Sequence, residues 1–329
     1  MTSAAQQFWP SAIAFATPLL LLVVLLRTGL GRRLAVDQPN QRSLHQVAVP
    51  RVGGIAIVVG VLLAWSQVRD AQPALGLFTA LLALISAVDD RMGLPVALRL
   101  LAHLALALVY AASYALGDAG LTAALMLYLV WMANCYNFMD GADGLAGGMA
   151  LFGFGAYGIA ALLAGNHTLA AMSLAPAAAA AAFLLFNFAP ARIFMGDAGS
   201  IPLGFVAAAL GASGAQQRLW PLWFPLLVFS PFLVDAGVTL ARRIWRRERF
   251  WQAHRQHYYQ RLIRMGWSHR RTALAAYALM LGVAASALVS LKLGPATQLG
   301  LLGGWGLVYA LLLRSIDARW RRSPLRGQQ

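Results

Sequence analysis

Apolar runs close to bilayer-spanning length recur from one end of this chain to the other, at 8–26, 52–68, 74–88, 95–116, 119–137, 148–164, 168–186, 200–214, 219–241, 272–291 and 296–313. A helix needs about 20 apolar residues to cross the hydrocarbon core of a membrane. The pattern predicts an all-α, polytopic integral membrane protein of about eleven transmembrane helices, or ten if one of the short runs (52–68, 74–88, 200–214) does not cross. A chain that is 60% hydrophobic and 11% charged is excluded from the ordinary soluble class. No stretch is left over for a separate soluble domain, so residues 1–329 read as one membrane domain. The first run has no basic residue before it and continues into RTGLGRR, which predicts a retained helix rather than a cleaved signal. The alanine run at 177–182 predicts a close-packed helix face, and the single Cys135 a packing residue.

The basic residues sort to one side. With eleven spans, 23 of the 26 fall in alternate loops plus the C-terminus, leaving only Arg69, Arg218 and Lys292 opposite. Positive-inside sorting therefore predicts a periplasmic N-terminus and a cytoplasmic C-terminus. The net charge of +15 follows from that sorting, and nucleic acid is not an expected partner. Of eleven acidic residues, only Asp70 and Asp118 fall in outside loops, and Asp235 lies within an apolar run. The rest share the cytoplasmic side, with candidate catalytic loops near 31–51, 89–94, 138–147, 187–199 and 242–271.

Some of these acids offset neighbouring arginines, but Asp140 and Asp143 stand in a loop without arginine or lysine and call for another cation. In NCYNFMDGADGLAGG, Asn134, Asn137, Asp140 and Asp143 accompany glycines that admit close backbone approach. Their side chains suit a hard metal or the N–H of a base; the plainer reading is a glycine-rich turn with Asx caps. Asp89 and Asp90 are adjacent carboxylates of the kind that handle a proton beside a charge-orienting partner, and Arg99 is spaced to return to their face. In NFAPARIFMGDAGSIPLG, Pro202 suits the first turn of a helix whose entry is Gly199–Ser200. A helix start attracts phosphate, whereas Asp197 beside it repels phosphate. A Mg²⁺ ion bridging the two reconciles them. Phe194 is most simply a packing residue, and the sharper reading is stacking on a base. The arginine-rich 242–271 suits a lipid surface, or a diphosphate gripped by His254, Arg255, His257 and Arg261.

Taken in order, DQPNQRSLHQVAVPRVGG, the Asp89–Asp90 pair, NCYNFMDGADGLAGG, NFAPARIFMGDAGS and AHRQHYYQRL resemble the polyprenyl-phosphate N-acetylhexosamine-1-phosphate transferases of glycosyltransferase family 4. That superfamily includes undecaprenyl-phosphate GlcNAc-1-phosphate transferases and, more distantly, phospho-MurNAc-pentapeptide transferases. The resemblance implies transfer of a sugar-1-phosphate from a UDP-N-acetylhexosamine to undecaprenyl phosphate at the bacterial inner membrane. UMP would be released, and the active site would face the cytoplasm. It implies Mg²⁺, with Mn²⁺ as an alternative, on Asp197 and Asn137. Asn134, Asp140, Asp143 and Phe194 would form the UDP pocket. Asp89 and Asp90 would be catalytic, and Arg99, Arg255 and His257 would contact phosphate. O-antigen or other cell-surface glycan assembly, and a homodimer, are further expectations.

Two departures stand out. HYYQ replaces an H-x-H-H cluster, retaining His257, and Arg99 stands where relatives have lysine. The first resembles members that use a 6-deoxy-N-acetylhexosamine donor. A transporter of an anionic substrate is the alternative class, but its sites lie near the bilayer midplane between repeated halves, and no repeat is visible here. An intramembrane aspartyl protease would need a glycine in place of Phe194 in FMGD.

Overall fold

The computed structural model describes residues 3–37, 48–249, 252 and 254–323, with side chains from Phe8 onward. Residues 38–47 of the first motif, and Phe250, Trp251 and Ala253 of the arginine-rich segment, lie outside the described residues. The chain is mostly helical. It runs α1 (Ser3–Arg27), α2 (Leu30–Leu34), β1 (Val36–Asp37), β2 (Val49–Pro50), α3 (Gly53–Trp65), α4 (Pro73–Met92), α5 (Val96–Ala115), α6 (Ala119–Phe138) and α7 (Leu145–Leu163). It continues with α8 (His167–Asn187), α9 (Asp197–Gln216), α10 (Trp223–Val228), α11 (Ser230–Trp245), α12 (Tyr258–Arg264), α13 (His269–Ser290) and α14 (Pro295–Arg322).

Every predicted apolar run holds a helix, but among the described residues nine helices are long and apolar enough to cross a membrane. Two runs fall short. The first, α3, has 13 residues, about 20 Å of helix. The run at 219–241 is broken at Phe229 into α10 and α11. Pro231 lacks an N–H and its ring opposes the carbonyl one turn back, so it sits at the start of a new helix instead of continuing the old one. The all-α expectation also misses one small element: β1 and β2 pair antiparallel, with Val36 opposite Pro50 and Asp37 opposite Val49.

The bundle is layered by burial. In α9, 89% of the spanning window is buried, against 6% in α14. Small residues let α9 sit centrally against α3, α4 and α6. A side chain at Gly204 would collide with the backbone of Met132 and Ala133 on α6. The alanine run behaves as predicted: Ala177, Ala179, Ala180 and Ala182 are buried where α8 meets its neighbours, which include α1 and α7. Cys135 is buried as a packing residue. Large apolar side chains such as Leu77, Leu101 and Leu299 are exposed on outward faces, as a surface in contact with lipid requires.

The start of α9 corrects the sequence reading. The helix begins at Asp197, and Pro202 is its sixth residue instead of a first-turn residue. The proline forgoes one hydrogen bond to the carbonyl of Ala198, and the helix continues through it. Asp197 thereby stands in the first turn, where the free N–H groups favour negative charge.

Candidate active site at the converging helix ends

Backbone pairing joins two distant motifs. The Phe194 N–H donates to Pro50 O (2.8 Å), the Gly53 N–H to Phe194 O (2.9 Å) and the Gly54 N–H to Met195 O (2.8 Å). Gly54 and Gly199 make this possible, since a Cβ on either would strike the backbone of the other. The zipper sets Arg51 beside Asp197. Arg51 Nη2 lies 2.7 Å from Asp197 Oδ1 and 3.2 Å from Asp90 Oδ1.

The end of α4 and the start of α5 complete the cluster. Asp89 Oδ2 pairs with Arg99 Nη1 at 2.7 Å while its Oδ1 accepts from the Leu94 N–H at 2.7 Å. Arg99 thus returns to the face of the paired aspartates, as its spacing predicts, and its Nη1 also lies 3.7 Å from Asp197 Oδ2. Asp90 Oδ2 accepts from the Ala198 N–H at 3.2 Å, a carboxylate on the positive end of α9. Asn137, in the last turn of α6, donates to Ser200 Oγ at 3.0 Å. Asp140 accepts from the Gly196 backbone. Burial pushes the Asp140 carboxyl well above the usual carboxylate range; Arg51 opposes the rise, and Asp197 and Asp90 add to it. Burial works against the Arg51 charge, but Asp197, Asp90, Asp37 and Asp140 outweigh it and hold its pKa above the ordinary value.

The remaining predicted residues fall into other neighbourhoods. Asn134 donates to Val130 O on its own helix at 2.7 Å. Asp143 accepts from the Ala191 N–H at 3.0 Å and lies 3.1 Å from His269 Nδ1 of α13, partners distinct from those of Asn137 and Asp140. Phe194 is half-buried, with its backbone in the zipper. His257 is buried, its Nδ1 3.3 Å from Asp235 Oδ1, and Arg255 is half-buried beside it. The His257 ring lies 6.0 Å from that of Phe138, and Tyr259 Oη donates to Phe138 O at 3.2 Å, so this segment docks onto the end of α6.

The sequence assigns no site role to Arg51, Asp235 or His269. Arg51 belongs to the first motif and to the candidate loop 31–51, but its sequence context assigns it no individual role. Asp235 carried a usable signal, as the one acid inside an apolar run. His269 had none.

The residues fit a hard divalent ion. The cluster offers carboxylate oxygens, with the Asn137 amide bonded to Ser200 of the same α9 start, and oxygen donors are the chemistry Mg²⁺ selects. Among the described residues no three acidic, histidine or cysteine side chains close into a ready cage. A Mg²⁺ ion takes one or two carboxylates and completes its shell with water and substrate phosphate.

The pattern of glycosyl transferase family 4 matches residues 73–215, a span holding Asp89, Asp90, Arg99, Asn137, Asp140, Asp143 and Asp197. An undecaprenyl-phosphate alpha-N-acetylglucosaminyl 1-phosphate transferase of Yersinia pestis is 32% identical over 279 residues, covering 75% of this chain and 76% of the relative. The chain belongs to glycosyl transferase family 4. A probable undecaprenyl-phosphate N-acetylglucosaminyl 1-phosphate transferase of Bacillus subtilis is 29% identical over 285 residues, 78% of this chain and 79% of the relative. A decaprenyl-phosphate N-acetylglucosaminephosphotransferase of Mycobacterium leprae is 30% identical over 318 residues, 80% of each chain. As a member of glycosyl transferase family 4, this polytopic chain shows the expected resemblance over most of its length. Arg51, Asp235 and His257 lie outside the segment matched by the family pattern.

Proposed function

We propose that the protein transfers an N-acetylhexosamine-1-phosphate from a UDP-sugar to undecaprenyl phosphate, releasing UMP. The observation that carries this reading is the network Arg51–Asp90–Asp197–Arg99, which gathers the ends of α4, α5 and α9 into one cluster of paired charges. Two anionic substrates must meet there, so catalysis is chiefly charge neutralisation and in-line positioning. An oxygen of the lipid phosphate attacks the sugar-bearing phosphorus. A new P–O–P bond forms, the bridge to the uridine-bearing phosphate breaks, and that bridging oxygen leaves on UMP.

Asp197, with Asn137 beside it, would hold Mg²⁺, which supplies positive charge to the diphosphate when bound. Arg99 pairs the charge of the lipid phosphate. Asp89 and Asp90 orient that phosphate and take any proton it still carries. Asp140 and Asp143 would form the uridine side with Asn134 and Phe194, and Arg255 and His257 would meet the sugar-nucleotide phosphates. The sorting of the arginines supports a cytoplasmic site in a bacterial inner membrane. Its lipid-linked product would serve O-antigen or another surface glycan.

Purified protein with undecaprenyl phosphate, Mg²⁺ and UDP-GlcNAc or its 6-deoxy relatives should release UMP in step with lipid-linked sugar diphosphate. Asp197→Asn should lower that turnover at least about 100-fold while keeping the fold, since one preorganised charge contributes roughly that much. Transport of an intact anion without UMP release would overturn the reading.

A further inference from the structure

We propose that Arg51 is the resident cation of the carboxylate cluster, and that it exchanges with the divalent metal at Asp197. The inference rests on the metal-dependent reading above. Both oxygens of Asp197 face guanidinium groups: Oδ1 lies 2.7 Å from Arg51, and Oδ2 lies 3.7 Å from Arg99. An ion that binds Asp197 through Oδ1 competes with Arg51 for that oxygen. Arg99 is committed to Asp89 at 2.7 Å and stands back from Asp197, so Arg51 is the group that yields.

With its carboxylates ionised, the cluster needs a cation among them. Among the described residues, Asp89, Asp90 and Asp197 pair with Arg51 and Arg99, and the Asp90 side chain is 4% exposed. Like charges that close and that buried repel strongly unless a positive group lies between them. Arg51 fills that place with one contact to Asp90 and one to Asp197. Its side chain is 32% exposed, so the guanidinium can turn outward while the carboxylates stay fixed.

Its backbone cannot follow. The Arg51 N–H donates to Ala35 O at 3.0 Å, and Pro50 before it and Gly53 and Gly54 after it are held by the zipper to Phe194 and Met195. Displacement therefore moves the side chain alone and leaves a planar cation tethered at the rim of the site. A guanidinium so placed can take phosphate oxygens with its fork of donors. Metal entry and phosphate capture thus become one rearrangement, and the empty protein keeps its fold without metal.

The test uses full-length protein in detergent, with Mn²⁺ as a paramagnetic probe. Mn²⁺ affinity is read by electron paramagnetic resonance, and thermal unfolding is followed with and without the ion. Arg51→Gln should unfold at a lower temperature than wild type in chelator. It should bind Mn²⁺ more tightly, by roughly fivefold for the loss of one partly exposed competing ion pair, and gain more from the ion in thermal stability. If the glutamine variant does not fold without metal, Arg51→Lys gives the same reading, with a smaller gain in affinity from its weaker fork. Mn²⁺ affinity equal to or below wild type in these variants overturns the exchange, provided wild type binds Mn²⁺ and Asp197→Asn does not. Absence of Mn²⁺ binding in wild type and variants alike overturns the metal-dependent reading itself, and the exchange with it.

Discussion

The carboxylate of Asp235, midway along α11, accepts a hydrogen bond from the backbone N–H of Tyr258 at 2.9 Å, and so caps α12 from a helix 23 residues back in the chain. The same carboxylate accepts from the Tyr259 N–H at 3.0 Å and faces His257 Nδ1 at 3.3 Å. Nearby, Asp317 of α14 pairs with Arg242 (2.8 Å) and Arg261 (2.9 Å), which ties the last helix to the same segment. Asp235→Ala leaves two buried backbone donors without an acceptor, a loss of roughly 2–4 kcal/mol. The variant should unfold earlier and be cut faster by trypsin around Arg255 and Arg261, with Asp235→Asn less affected. Unchanged unfolding and protection in Asp235→Ala would show that the cap contributes nothing.

Asp143 carries a different prediction. Its contacts to Ala191 and His269 join the loop after α6 to the segment before α9 and to α13. As the proposed acceptor for uracil N3–H, Asp143→Ala should weaken UDP binding about tenfold or more, with or without Mg²⁺, because a site built for a polar partner discriminates strongly. Isothermal titration with UDP measures it. Normal UDP affinity with altered sugar preference would remove Asp143 from the uridine pocket.

His254 gives the arginine-rich segment a pH dependence. Burial depresses its pKa to about 3; neighbouring His257, Arg243 and Arg261 act in the same direction, and Asp235 opposes them. The folded segment therefore holds the neutral ring, while the unfolded chain takes a proton near pH 6.5. The stabilisation is complete above that value and is lost as pH falls from about 6.5 toward 3. Thermal unfolding between pH 7.5 and 5 should show stability falling with pH. His254→Asn, which cannot take the proton, should fall less steeply; identical slopes would exclude His254 as a source.

Two glycines should respond in opposite ways. Gly54 meets the backbone of Gly199, so Gly54→Ala must force the zipper apart and abolish folding or activity. At Gly304, on the exposed face of α14, a Cβ meets open space. Gly304→Ala should fold normally and gain up to about 1 kcal/mol of helix stability. Size-exclusion profiles and unfolding midpoints in detergent distinguish the cases, and a well-folded, active Gly54→Ala would refute the close approach.

Much of this protein is legible in one dimension. Each apolar run holds a helix, one of them broken in two at Phe229, because apolar segments in lipid must satisfy their backbone internally. The return of Arg99 to Asp89 was readable too, since only ten residues and one short turn separate them. What the sequence alone did not decide were contacts made across long chain separations. Arg51 meets Asp197 from 146 residues away, through backbone pairing that has no side-chain signature. In the sequence Asp235 is a lone acid within an apolar run, and packing decides which N–H groups donate to it. Asn137 and Asp143 look equivalent in a three-residue repeat, but the chain leaves α6 between them and turns each toward different neighbours. Sequence fixes which segments are too apolar to stay in water, because that is a property of each segment alone. Which charge lies against which carboxylate depends on how the helix ends converge, and only the tertiary structure decides that.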